Sequence, residues 1–129
     1  MVKKLTCLFL IMVFVLTIGT SVFAATVGQQ LTSPEEGWRR YDNKDTKINY
    51  IGNWNKTFSS DSRFYCDGEY WGLDSTASFN FLFYGSKLRF IAYSDAAGSR
   101  STNIEITIDG NIYNASMPTS NIIQCLYFE

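Results

Sequence analysis

Two tight-turn dipeptides, each set between alternating apolar runs, constrain this chain more than any other feature. Ala77-Ser-Phe-Asn-Phe-Leu-Phe-Tyr84 alternates with period two and is followed by Gly85-Ser86, then by Lys87-Leu-Arg-Phe-Ile-Ala-Tyr93. Two such runs joined by Gly-Ser predict a β-hairpin with a two-residue turn. Ile104-Glu-Ile-Thr-Ile108, Asp109-Gly110 and Asn111-Ile-Tyr-Asn-Ala115 repeat the device. Their turn signal is stronger, because Asp and Gly both tolerate positive φ. If both turns close one end of the strands, the connections 94–103 and 116–121 lie at the other end. Segment 55–76, which feeds the strand at Ala77, is expected there too, so three irregular loops share one rim.

The first residues read as an export signal. Lys3 and Lys4 precede the apolar stretch Leu5–Ile18, and Ser21-Val-Phe-Ala24 places small residues before a cut after Ala24. An uncleaved signal anchor is the alternative. Cys7 lies inside the apolar stretch rather than at its end, which argues against a lipoprotein processing site. The product is expected to be secreted or held at the cell surface, with no membrane association after cleavage. Residues 25–129, about 105 of them, then make one small domain. Without Lys3 and Lys4, nine basic side chains face twelve acidic ones, a net charge of −3. That balance argues against nucleic acid, which needs a basic face, and against an electrostatic membrane patch.

The chain contains no histidine. Serine or cysteine nucleophiles activated by histidine are thereby excluded, as are histidine-bound zinc sites. The mature chain keeps Cys66 and Cys125, whose spacing fits no zinc or redox motif. They either form a disulfide in an oxidising compartment or remain thiols, with a buried one filling a small core space.

Elsewhere Ser33-Pro-Glu-Glu36 reads as an N-cap, a first-turn proline and acidic residues, but Gly37 limits any helix to one turn. Trp38-Arg-Arg-Tyr41 is expected to begin the first strand, and Asp42-Asn-Lys-Asp-Thr46 to form a turn with Asx chemistry. The carboxylates of that turn could help hold a structural calcium, but the oxygen-ligand pattern of a known calcium loop is missing. No other cofactor is indicated. Lys47–Trp54 is the next strand, with Ile48, Tyr50, Gly52 and Trp54 on one face. No helical period is long enough to cover a sheet. Short strands spaced by turn signals predict an all-β, antiparallel β-sandwich or jelly roll. Phe79, Phe81, Phe83, Ile104, Ile106 and Ile108 are its expected core, with Trp54 and Trp38 also structural. Arg89 faces outward on its strand, as a ligand group or part of a solvated face. Asn55 and Asn114 head glycosylation-acceptor triplets, which matter only in a host with that machinery.

Taken together, Ser33-Pro-Glu-Glu-Gly-Trp-Arg-Arg-Tyr-Asp42, Ile48-Asn-Tyr-Ile-Gly-Asn-Trp54, Phe79-Asn-Phe-Leu-Phe-Tyr-Gly-Ser-Lys-Leu-Arg89 and Ile106-Thr-Ile-Asp-Gly110 resemble a galactose-binding-like jelly-roll domain. The resemblance spans nearly all of the mature chain and implies a carbohydrate-binding module of secreted, surface or phage proteins. It is specific for fold and weak for ligand, because the matching positions are mostly core and turn. Such domains usually continue beyond the strand matching Ile122–Phe128 with another strand. The chain is therefore expected to be a shortened member or part of a longer product. A missing strand would leave unpaired backbone at a sheet edge, with marginal stability or self-association as the consequence.

The expected ligand-binding residues follow from the chemistry of sugars, whose rings have apolar faces fringed by hydroxyls. A sugar site needs an aromatic platform and bidentate polar groups. Tyr70 and Trp71 offer the platform, although Trp71 could equally cap the core, and Arg63, Tyr65, Asp67, Glu69, Asp74, Asp95 and Arg100 offer polar contacts. The leading expectation is a non-catalytic module whose partner is a glycan or cell-wall sugar. The alternative is a structural or adhesion module that binds another surface protein. An enzyme would have to be a glycosidase working with carboxylates alone, such as Asp67, Glu69 and Asp74, and a small sandwich gives little depth to tune them.

Overall fold

The computed structural model describes residues 24–56, 61–98, 100–101 and 103–129. The leader expected over 1–24 lies outside these residues except for Ala24. Strand β8, Ile122–Phe128, is the centre of the protein. Cys125, Leu126 and Tyr127 are consecutive and all buried. A strand buries neighbouring residues only when both of its faces are covered. Here Cys125 and Tyr127 join Ala115 and Met117 in one cluster, and Leu126 joins Ala25 and Leu31 in another on the opposite face.

Both edges of β8 are also occupied. On one side it pairs antiparallel with β5, Phe90–Ser94. On the other, Gly28 N donates to Leu126 O, Leu126 N to Gln29 O and Leu31 N to Gln124 O, each at 2.8–2.9 Å. Gln30 bridges Cys125 there. Residues 28–31 of the same chain thus occupy that edge of β8. The β5–β8 register slips twice because β8 carries extra residues. One slip, between Ala92 and Ser94, includes Gln124 in left-handed backbone at φ +58°.

The hairpin expected at Asp109–Gly110 is present. β6, Ile104–Ile108, pairs with β7, Asn111–Ala115, in unbroken register. Asp109 (φ +49°) and Gly110 (φ +83°) both have positive φ, as a type I′ turn demands. Ile104 and Ile106 turn inward against the cluster around Cys125, whereas Glu105 and Thr107 are exposed.

The hairpin expected at Gly85–Ser86 does not form. The run 77–84 keeps only Ser78–Asn80 as strand β4, which pairs with β1 (Asn49–Ile51), while β5 pairs with β8. Gly85 lacks the positive φ that a primed two-residue turn needs. Strand 47–54 is likewise interrupted. β1 ends at Gly52 (φ +82°), and β2, Trp54–Asn55, resumes against β3, Trp71–Gly72. β1–β2 and β3–β4 therefore run as two antiparallel tracks, with residues 73–77 looped out opposite Gly52. Trp38–Tyr41 forms no strand, and Glu35–Trp38 is a β-turn closed by Trp38 N on Glu35 O at 3.0 Å. Gly37 supplies φ +82° at its third position. The protein is all-β, built from small antiparallel pairs, with no α-helix among the described residues.

Aromatic contacts, edge-to-face or tilted, join these pairs. Trp54 meets Tyr50 at 4.9 Å, Phe79 meets Phe90 at 5.9 Å and Phe90 meets Tyr127 at 5.8 Å between ring centroids. Burial pushes the pKa of both Tyr50 and Tyr127 up to about 12. Their hydroxyls donate to the carbonyls of Asn43 (2.8 Å) and Tyr93 (2.6 Å).

Arg89 is not a solvated outward residue. Its side chain is only 7% exposed, lies 3.9 Å from the Trp38 ring centroid and pairs with Glu35 and Glu129. Burial alone would lower its pKa, but the hydrogen bonds to the two carboxylates outweigh that and raise it.

Candidate functional site

The pairing decides which loops share an end. Ser94 is opposite Ile122 and Ile104 is opposite Ala115, so connections 95–103 and 116–121 leave the two ladders on the same side. The turn at Asp109–Gly110 is at the other end of β6–β7. Ser94, fully buried, ties the connections together through its hydroxyl, 2.6 Å from the carbonyls of both Pro118 and Ser120. Ala96 N donates to Asn121 Oδ1 at 2.8 Å.

Segment 61–69 reaches this end, as expected, but Tyr70 and Trp71 leave it. Glu69 pairs with Arg100 at 3.2 Å, and the Arg100 guanidinium lies 5.1 Å from the Tyr93 ring centroid. Phe64 meets the same Tyr93 ring edge-on at 6.3 Å. Arg100 Nε is buried without a hydrogen-bond acceptor. Tyr70 instead packs edge-on against Tyr50 at 5.2 Å, and Trp71 is a half-buried β3 residue opposite Asn55. Asp74 organises the looped-out residues 73–77. It accepts from Thr76 N at 2.8 Å, from Thr76 Oγ1 and from Asn53 Nδ2 at 3.2 Å. The Thr76 hydroxyl and amide, then Asn53, hold its carboxyl below the usual value of 3.8. Asp95 caps its own turn through Ala97 N at 2.8 Å. Asp67 ends the short 3-10 turn Tyr65–Asp67, and its side chain lies outside the description.

Arg63 and Tyr65 line an open cleft of about 430 Å³. It is lined by Ser62–Cys66, Ile123–Gln124, Gln30 and Thr32. Gln124 Nε2 donates to Arg63 O at 2.8 Å and Gln30 Nε2 to Ile123 O at 3.0 Å, tying the lining segments together. Gln124, in left-handed backbone at φ +58°, lines the cleft, and its Oε1 is buried with no donor. An unpaired buried acceptor costs roughly 1–3 kcal/mol. The Tyr65 ring is held by the Arg40 guanidinium, 4.4 Å from its centroid, and Arg40 Nη1 donates to Leu31 O at 2.8 Å. Burial lowers the Arg40 pKa.

The charge of Arg63 is already matched. Asp61 accepts from its Nη2 at 2.6 Å and from its Nε at 2.9 Å. That bidentate bond lowers the Asp61 pKa and raises the Arg63 pKa. The cleft is thus lined by neutral amides and hydroxyls, the Phe64 and Tyr65 rings, Cys66, Ile123 and a charge-balanced guanidinium. Gln30, Thr32, Ser62 and Gln124 were not among the residues expected from sequence. The available signal was Gln124, the lone amide inside the apolar run 122–128.

In the Asp42–Thr46 turn, Asp42 Oδ1 accepts from Lys44 N at 3.0 Å and Asp45 Oδ1 from Lys47 N at 2.9 Å. Both carboxylates cap their own turns. Among the described residues no group of three or more His, Cys, Asp or Glu side chains is placed to hold a metal ion. Cys66 (φ +54°) is exposed and Cys125 buried, and both are free thiols. Burial raises the Cys125 pKa, so both access and ionisation disfavour its reaction. In a thiol-reagent assay of residues 25–129, Cys66 is expected to react at once and Cys125 only after unfolding. A native chain with no reactive thiol would contradict this arrangement. Comparisons with family models, with curated proteins and with solved structures find no match to this chain.

Proposed function

We propose that this protein is an exported, non-catalytic carbohydrate-binding module of the galactose-binding-like type. In this reading the antiparallel pairs are the layers of a jelly roll, and a neutral sugar from a glycan or cell wall occupies the cleft over Gln124. The uncharged lining of that cleft, with amides and hydroxyls beside the Phe64 and Tyr65 rings, carries the reading. An ionic ligand would need an unmatched charge to offset its desolvation, and the one guanidinium present already has Asp61 as its partner. A sugar offers what the lining can use: hydroxyls for the amides and a C–H face for the Tyr65 ring. About 430 Å³ is within the size range of small-ligand sites.

Glycan-array screening followed by calorimetry tests this. Tyr65→Ala and Arg63→Ala are expected to weaken the best glycan at least about tenfold, equal to about 1.4 kcal/mol, with unchanged circular dichroism. Trp71→Ala, away from the cleft, is expected to leave affinity unchanged. The opposite pattern would move the site to the aromatic rim. No retained glycan, together with stable co-purification of a surface protein, would favour the adhesion alternative.

A further inference from the structure

We propose that Arg40, which does not itself line the cleft, is the positioning residue that fixes the lining segments 30–32 and 62–66 relative to each other. One guanidinium reaches both. Its Nη1 donates to Leu31 O at 2.8 Å, and its central carbon stands over the Tyr65 ring, 4.4 Å from the centroid. Leu31 lies between Gln30 and Thr32, two lining residues, and its own N–H donates to Gln124 O at 2.8 Å. Its side chain is buried with Ala25 and Leu126, so the carbonyl that meets Arg40 belongs to a fixed part of the chain. Tyr65 is less constrained by its own segment. It opens a single 3-10 turn, Tyr65–Asp67, whose middle residue Cys66 has φ +54°, and it is only half-buried. Arg40 thus transfers the position of the fixed segment to a ring that lines the cleft.

Arginine suits this task. Among the described residues Arg40 forms no ion pair, so no carboxylate sets its position. An apolar side chain could fill a half-buried space without desolvating a charge. Only a planar guanidinium offers N–H groups at its edge to a carbonyl and its face to an aromatic ring at the same time. The effect on sugar affinity rests on the carbohydrate reading above, whereas the placement of Tyr65 does not.

Nuclear magnetic resonance of residues 25–129 without ligand tests the placement. The Arg40 guanidinium protons are expected to be shifted upfield by the ring current of Tyr65 and to return toward their usual position in Tyr65→Ala. Arg40→Met, of similar length but without fork or charge, is expected to move or broaden the Tyr65 ring signals. It is also expected to weaken the best glycan at least about tenfold, with unchanged circular dichroism. Arg40→Lys keeps the charge but not the fork, is expected to recover only part of that affinity, and carries the test if the methionine variant does not fold. Arg39→Ala is the control. Its guanidinium lies 5.1 Å from the Tyr41 ring centroid, and its loss is expected to change neither readout. A residue that merely stabilises the fold would lower the melting temperature and leave the Tyr65 signals and the affinity of the folded protein alone. That result in the Arg40 variants would overturn the proposal. A wild-type chain that binds no glycan overturns the carbohydrate reading instead, and Tyr65 signals unmoved by Arg40→Met then overturn the positioning role as well.

Discussion

Replacing Arg89 with alanine is expected to lower unfolding free energy by roughly 3 kcal/mol and the melting temperature by roughly 10–20 °C. Arg89 joins three distant parts of the chain: Glu35 and Trp38 in the N-terminal region, its own position before β5, and Glu129 after β8. Hydrogen bonds to charged partners contribute about 1.5–3 kcal/mol each, and a guanidinium desolvated on an aromatic face about 2 kcal/mol. The sum is not recovered in full, because Glu35 and Glu129 are partly exposed and regain water once Arg89 is gone. Arg89→Lys keeps the charge but loses the planar fork that spans both carboxylates and stacks on Trp38, so it should retain only part of the loss. Urea denaturation of the two variants measures this. A cost below about 1 kcal/mol for alanine would show that the cluster is solvated and loose.

Gly52→Ala is expected to destabilise the protein by about 3 kcal/mol. Two separate costs combine here. A side chain at φ +82° costs roughly 1–2 kcal/mol by itself. In addition, a Cβ at this position would lie 2.4 Å from the Thr76 carbonyl oxygen and 2.7 Å from its carbon. That obstacle is backbone, so relief requires moving the loop 73–77 together with the hydrogen bonds Asp74 makes to Thr76 and Asn53. Gly37 provides the control. It has the same φ of +82°, but a Cβ there meets nothing within 4 Å. Gly37→Ala should therefore show the conformational cost alone, and the difference between the two variants isolates the close approach. Equal melting temperatures for both would mean that the loop yields without cost.

The two hairpin signals illustrate how far local chemistry reaches. At Asp109–Gly110 both residues tolerate positive φ, and the pairing of Ile104–Ile108 with Asn111–Ala115 needs nothing from the rest of the chain. At Gly85–Ser86 the same reasoning predicts a hairpin, yet β4 goes to β1 and β5 to β8. Each strand has competing partners far away in sequence, and total apolar burial decides among them. Arg89 shows the same limit, since alternation alone points it outward and only distant residues cover it. Of the expected ligand residues, Arg63 and Tyr65 line the cleft, while Asp74 and Asp95 serve their own loops and Tyr70 packs into the aromatic cluster.

The sequence by itself determined the all-β class and the antiparallel hairpin at Asp109–Gly110. Those features follow from side-chain alternation and backbone preference over a few neighbouring residues. Only the tertiary structure decided that residues 28–31 close the far edge of β8, that Arg89 is covered by Glu35, Trp38 and Glu129, and that Gln30, Arg63 and Gln124 meet at one cleft. Such contacts join segments tens of residues apart, and their free energy comes from surfaces that exist only once the chain has folded.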